Sequence, residues 1–164
     1  MAKKKIAKSH EVSERPESIA ADLRVTASPV AAVARLTHIL MDDSHAKRTV
    51  EGYTDPDTVR LKMGVHDAEV GNSEQSDKFF VRLGFTLKLE NKEADSAERP
   101  VVEIMARFVI LYDLPEKEGI THENLIAFAQ TSGVFSIWPY WREFVHSMSM
   151  RMGVPSIVLP TRRI

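Results

Sequence analysis

The sequence of 164 residues contains no cysteine. Disulfides, thiolate metal sites and cysteine nucleophiles are therefore excluded, and a reducing compartment is compatible with this composition. None of the six histidines lies three or four residues from another, so zinc-binding spacing is absent. Glycine-rich phosphate loops are absent too, and Ser132-Gly133 lacks the flanks of a nucleophile elbow. The sequence predicts no metal, no cofactor and no enzyme activity.

Long apolar runs and an excess of one charge are also missing. No apolar run approaches the roughly 20 residues that span a bilayer. Lys3, Lys4 and Lys5 are not followed by the apolar core of a secretory signal peptide. The net charge is −1, from 22 basic and 23 acidic residues, which argues against nucleic-acid binding. We expect a soluble cytoplasmic protein with no membrane insertion and no nucleic-acid partner.

The N-terminal third predicts a tail followed by one domain. Residues 1–17 are polar and charged, which indicates a flexible tail, with a basic arm as the alternative. Residues 18–164 are long enough for a single domain with a real core. Residues 19–33 fit either a short helix or the approach to a strand. Arg35–Met41 predicts a strand, and residues 42–44 predict a turn or bulge after it.

Three further strands follow from alternation. Residues 59–65 alternate apolar and polar side chains, and Phe79–Leu89 places six apolar residues on one face. Val101–Asp113 is apolar on both faces, interrupted by Glu103 and Arg107 on one of them. A strand apolar on both sides needs cover on both sides. One cover can be the protein's own helix, and the other must be a second element, a partner subunit or a ligand.

The last third predicts helices and an extended ending. Thr121 is an N-cap candidate for a helix from Glu123, which Gly133 interrupts. A second helix is predicted from Pro139 to Met152, followed by a glycine stop and an extended apolar segment. Strands followed by helices indicate an α+β fold with an antiparallel sheet.

This last third resembles the closing part of the SecB family of secretion chaperones. The family shows an apolar-Pro-Tyr-x-Arg-Glu helix start, then Ser/Asn-Met-x-x-Arg, a glycine and an extended apolar ending. The two longest predicted strands resemble the family's central strands, and residues 35–49 resemble its first strand more weakly. Residues 1–30 do not match. Within Val134–Pro160, the matching residues are Pro139, Tyr140, Arg142, Glu143, Met148, Arg151, Gly153, Pro155, Leu159 and Pro160.

The resemblance implies a four-stranded antiparallel Greek-key sheet with the C-terminal helices packed on one face. It implies self-association as a dimer of dimers and an ATP-independent holdase that binds unfolded or partly folded polypeptides, as in protein export. The alternative is a dedicated binding module for one client, such as an antitoxin or an assembly partner. The chain stops at Ile164 without the segment that docks on SecA, and it is nearly neutral. Contact with SecA is therefore left open.

Two sets of candidate residues follow from this resemblance and from the strand pattern. Methionines and aromatics at helical spacing are more often core or subunit interface than ligand groove. Glu103 is expected to pair with Arg107 or Arg82, or to lie exposed at an edge, rather than to act in catalysis. The peptide-binding candidates are Trp138, Tyr140, Trp141, Met150, Ile157 and Leu159, and the oligomer-interface candidates are Val101, Glu103, Met105, Arg107, Val109, Phe144 and Met148.

Overall fold

The structure, a computed structural model, describes residues 16–49, 55–72, 76–92 and 100–161. The flexible tail predicted for residues 1–17 lies almost entirely outside these residues, and both it and the single domain of 18–164 stay predictions. A 3-10 turn, Pro56–Thr58, precedes the second strand, and a π-helical turn, Ala129–Gly133, joins the last two helices. The elements are α1 (Pro16–Val33), β1 (Arg35–Arg48), β2 (Val59–Asn72), β3 (Lys78–Asn91), β4 (Val102–Asp113), α2 (His122–Phe128) and α3 (Val134–Arg151).

The four strands form one antiparallel sheet in the order β1-β4-β3-β2. β2, β3 and β4 form a meander, and β1 lies beside β4, which is Greek-key connectivity. The predicted α+β fold is therefore confirmed. In the two central strands, β3 and β4, the helices fully cover the side chains of one face, which we call the helix face. The side chains of the opposite face are not fully covered, and we call it the open face.

Aromatic side chains join the helices to the central strands. The Trp141 ring of α3 lies 5.5 Å from Phe85 of β3, which in turn meets Phe108 of β4 edge to face at 5.9 Å. A second group forms beneath α2, where Tyr112 stacks on Phe79 at 5.0 Å. Offset and edge-to-face contacts of this kind add to the burial of apolar area. Burial raises the pKa of the Tyr112 hydroxyl, since desolvation disfavours the phenolate.

Residues 19–33, which the sequence left open, are helical. Ala27 and Val30 are buried in the core, so packing decides a conformation that local propensity leaves ambiguous. Asn124 connects α1 to α2, because its side chain completes the capping box at Thr121 and its Nδ2 donates to the Thr26 carbonyl oxygen at 2.8 Å. Thr121 is the predicted N-cap.

The helix that was predicted to begin at Pro139 begins at Val134. Gly133 does not break the helical run, since the π-helical turn carries the chain from α2 directly into α3. Pro139 lies inside α3 at an exposed position. Water can therefore bond the carbonyl oxygen that lacks an N–H partner because of the proline. Gly153, with φ of 63°, ends α3 as predicted. Within the described residues, no helix is long and apolar enough to cross a membrane.

β1 is longer than predicted, because the strand bulges at Asp42 and then continues, where the sequence predicted a turn or a bulge over residues 42–44. The register of β1 against β4 shifts between Met41 and Asp43, and pairing then continues to Arg48. Glu103 pairs with Lys88, with Nζ and Oε1 2.9 Å apart, and not with Arg107 or Arg82. The register explains this difference, since Lys88 is the residue directly opposite Glu103.

We predict that Phe85→Ala lowers the free energy of unfolding by about 3–5 kcal/mol, because it removes a fully buried ring that contacts both Trp141 and Phe108. Urea unfolding followed by tryptophan fluorescence measures the change. The matched control is Leu61→Ala on the exposed edge of the sheet, for which we expect about 1 kcal/mol or less. Equal losses in the two variants would contradict the assignment of Phe85 to the core.

Candidate functional site

The open face of the sheet carries ion pairs that cross the strands. Lys62 donates a hydrogen bond to Glu90, and this contact lowers the pKa of the Glu90 carboxyl. Such pairs on an accessible surface each contribute little to stability, but they keep these charged side chains paired within one chain. The other pairs are Arg60–Glu90 (3.3 Å), Lys88–Glu103 (2.9 Å), Arg107–Asp42 (2.9 Å), Arg82–Asp42 (3.6 Å) and Arg82–Glu69 (2.6 Å).

The helix face is uncovered along the first half of β2. Leu61, Met63 and Val65 are 45%, 42% and 40% exposed. Their directly paired neighbours on β3 are buried, so these three residues lie on the helix face, at positions that the helices do not cover. We call them the β2 edge row. Three apolar side chains in one row thus line the flank of the helical layer.

β1 shows the same feature at the opposite edge of the sheet. Leu36 and Met41 are paired with the buried Tyr112 and Phe108, so they too lie on the helix face. They are 47% and 46% exposed. The helices therefore cover the two central strands and leave apolar side chains exposed on both edge strands.

An open cavity of about 440 Å³ separates the second half of β2 from the π-helical turn. Val65 of the β2 edge row forms one wall, and Leu83 and Val134 supply further apolar surface. Gln130, exposed on the turn, provides an amide at its rim. The cavity extends the β2 edge row into a concave apolar surface beside the helices.

A bulge in β2 shapes this edge. Asp67 adopts φ of 53°, and the His66 ring contacts Asp67 Oδ2 through Nδ1 at 2.5 Å and Thr86 Oγ1 through Nε2 at 2.8 Å. The ring lies over Gly84, where a Cβ would approach it to 2.5 Å. These contacts hold the left-handed residue of the bulge. The described residues hold no group of three His, Cys, Asp or Glu that could bind a metal ion.

The extended segment after α3 lies along that helix. Trp138 Nε1 donates to the carbonyl oxygen of Pro160 at 2.9 Å, and Arg142 Nε donates to that of Leu159 at 2.8 Å. The Ile157 amide donates to Ser149 Oγ at 3.2 Å. We call residues 154–160 the C-terminal strap.

Known proteins similar to this chain were found both by sequence and by structure. No protein-family model matches the chain. Two SecB-like chaperones of Mycobacterium tuberculosis, MT2006 and Rv1957, are each 31% identical to it over 93 residues. The match covers 49% of this chain and 51% of each relative, so the chain spans about half the length of the curated relatives it matches.

A solved structure extends the likeness to nearly the whole chain. It is the Mycobacterium tuberculosis SecB-like chaperone Rv1957 in complex with a ChAD peptide from the Rv1956 HigA1 antitoxin. The TM-score is 0.73 with 23% identity, covering 89% of this chain and 99% of that one. About half of the chain is thus similar in sequence to SecB-like chaperones, and its fold is similar to that of one of them. The predicted resemblance to the SecB family is confirmed.

The structure does not bring the predicted peptide-binding residues into one open groove. Trp138 and Trp141 are buried in the core, and so are Ile157 and Leu159. The two that remain exposed are Tyr140 at 52% and Met150 at 62%. Ile157 and Leu159 belong to the strap, which lies within a groove rather than forming its wall. The β2 edge row could not be predicted from the sequence, because the alternation of residues 59–65 predicts one buried face but not how far the helices extend over it.

The predicted oligomer-interface residues fall into two groups. Val101 and Phe144 are buried within the single chain, and Met148 packs partly buried against the core. The other four lie on the open face of β4, where Glu103 and Arg107 are already paired within the chain. The two remaining residues are half-buried there: Met105 and Val109.

We predict that Ser149→Ala lowers the free energy of unfolding by about 1–3 kcal/mol, because the buried Ile157 amide loses its acceptor. Urea unfolding measures the loss. Ser156→Ala is the matched control, since the exposed contact of Ser156 Oγ with His146 Nδ1 can be replaced by water. A Ser149→Ala variant as stable as the control would show that the strap is not held as described.

Proposed function

We propose that this SecB-like chain binds extended apolar segments of unfolded or partly folded polypeptides without ATP. The observation that carries the proposal is the exposure of Leu61, Met63 and Val65 beside fully covered neighbours. Apolar burial gives about 25 cal/mol per Å² without directional demands, so such a row accepts many sequences. Methionine adapts to irregular partners.

The position of β2 adds main-chain recognition to this surface. β2 is the last strand of the sheet, so its outer N–H and C=O groups have no strand partner among the described residues. An extended client can pair with such an edge through its backbone while its side chains meet the β2 edge row. The bulge at His66 and Asp67 interrupts the regular edge and limits pairing to the segment before it.

The known relatives support a polypeptide client and suggest a second candidate. Both curated relatives are named chaperones, and the solved relative is bound to a peptide of an antitoxin. That peptide favours a dedicated module with one client over a general holdase. A pull-down that returns a single stoichiometric partner would favour the dedicated module, whereas many substoichiometric partners would favour the holdase.

The cytoplasmic location and the role in protein export stay predictions, and contact with SecA stays open. Self-association as a dimer of dimers is part of the proposal. It is supported by Met105 and Val109, which leave apolar surface accessible between the ion pairs of the open face.

We predict that the chain suppresses aggregation of a denatured model client without nucleotide, and that Leu61→Ser with Met63→Ser weakens this activity about ten-fold. Light scattering during dilution from denaturant measures it at several molar ratios. The matched control is Lys62→Ser, which changes the same strand on the open face. No suppression by the unaltered chain at molar excess would refute the holdase, and equal activity of the variants would remove the β2 edge row from it.

We predict a particle of four chains of 18.5 kDa each in solution. Light scattering coupled to size exclusion measures the mass. Met105→Glu with Val109→Glu should lower the mass if the open face of β4 is an interface, because two new charges would be desolvated there. Glu116→Gln, an exposed position in the loop after β4, is the control. A monomeric unaltered chain would contradict the predicted assembly.

A further inference from the structure

One flank of α3 carries a stripe of four hydrogen-bonding side chains. They are separated by four, four and three residues, which places them one above another on the helix surface. The stripe lies beside the sheet-facing residues of α3 and consists of Trp138, Arg142, His146 and Ser149.

Three members of this stripe contact main-chain atoms of the strap. The carbonyl oxygens of Pro160 and Leu159 accept from Trp138 and Arg142, and the amide of Ile157 donates to Ser149. The strap runs antiparallel to α3. Main-chain contacts do not depend on which side chains the bound segment carries, so the stripe recognises an extended backbone rather than one sequence.

The side chains of the strap alternate as those of a bound strand do. Ile157 and Leu159 are 9% and 3% exposed, whereas Val158 between them is 72% exposed. The flank therefore buries two apolar side chains that lie two residues apart. The chemistry that fits it is an extended segment of the form apolar-x-apolar.

The strap is a separable element. Its last backbone–backbone hydrogen bond among the described residues is that of the Val154 amide to the Ser149 carbonyl oxygen. Beyond Val154 the strap is held by side chains of α3 and by its two apolar anchors. Segments with few backbone hydrogen bonds open locally at a lower free energy than the rest of the fold.

We propose that this flank of α3 is a binding site for an extended apolar-x-apolar segment of a client polypeptide, and that the strap occupies it in cis. The proposal rests on the proposed function and adds a second binding surface and its regulation. Client and strap compete for the same side-chain donors and acceptor of α3, so the fraction of molecules with a released strap sets the apparent affinity of the site.

The experiment uses the absence of native cysteine. His146 Nδ1 and Ser156 Oγ are in contact at 2.9 Å, so the two side chains face each other. In His146→Cys with Ser156→Cys, a short bis-methanethiosulfonate cross-linker therefore locks the strap, and reduction of its two disulfides frees it. The probe is a fluorescent peptide with the strap sequence VPSIVLPT, and fluorescence anisotropy measures its binding. A peptide with serine in place of Ile and Leu is the control ligand, and Ser156→Cys alone is the control protein.

We expect the reduced double variant to bind the probe at least about ten-fold more tightly than the cross-linked form, and the control ligand to bind neither. Ile157→Ser with Leu159→Ser should likewise raise probe affinity over the unaltered chain, whereas the exposed Val158→Ser should not. Equal probe binding by the locked and reduced forms would overturn the inference. Failure of probe binding in the strap-weakened chain, with its near-ultraviolet circular dichroism retained, would overturn it as well.

Aggregation suppression by the same proteins separates this inference from the proposed function. If the locked and reduced forms suppress aggregation equally, client binding stands and the strap does not regulate it. If none of the forms suppresses aggregation, the proposed function fails. Probe binding would then show only that the flank binds its own strap sequence, and the inferred client site would be overturned as well.

Discussion

The packing of Trp141 against Phe85 fixes the position of α3 over the sheet, and the remaining surfaces depend on it. With that ring fully buried, the helices lie over β3 and β4 and reach neither edge strand completely. β2 is partly covered after its bulge, where Ala68 and Val70 pack against the core, whereas Leu61, Met63 and Val65 before the bulge are exposed. One helical layer above four strands therefore produces exposed apolar edges as a direct result of its own width.

The two faces of the sheet differ in the kind of side chain that lies at the surface. On the open face, long charged side chains pair across strands and lay their apolar stems over the sheet, as Arg82 does above the Phe80 ring at 5.5 Å. On the helix face, the exposed side chains near the edges are apolar. Association through the β2 edge is limited by the bulge at His66 and Asp67, a device that natural edge strands use against uncontrolled pairing.

The sequence predicted the strands well where one period dominates. Phe79–Leu89 alternates without interruption, so its buried face could be assigned from the residues alone. Residues 19–33 could not be assigned, because their conformation depends on packing against α2. The contact of His66 with Thr86 depends on the β2–β3 register and is invisible in a linear sequence. The strap was predicted as extended, but its role as an occupant depends on hydrogen bonds from a distant stripe of α3.

A site filled by its own chain discriminates among partners by length rather than by sequence. The strap is tethered to α3, so it acts at a high effective concentration, and an isolated apolar-x-apolar segment competes poorly with it. A long unfolded polypeptide can first engage the β2 edge row, which is open, and then present a second segment to the α3 flank as a tethered competitor. A folded protein offers no such second segment. Occupation of the α3 flank by the strap would thus favour extended non-native chains, even though neither this flank nor the β2 edge row recognises a particular sequence.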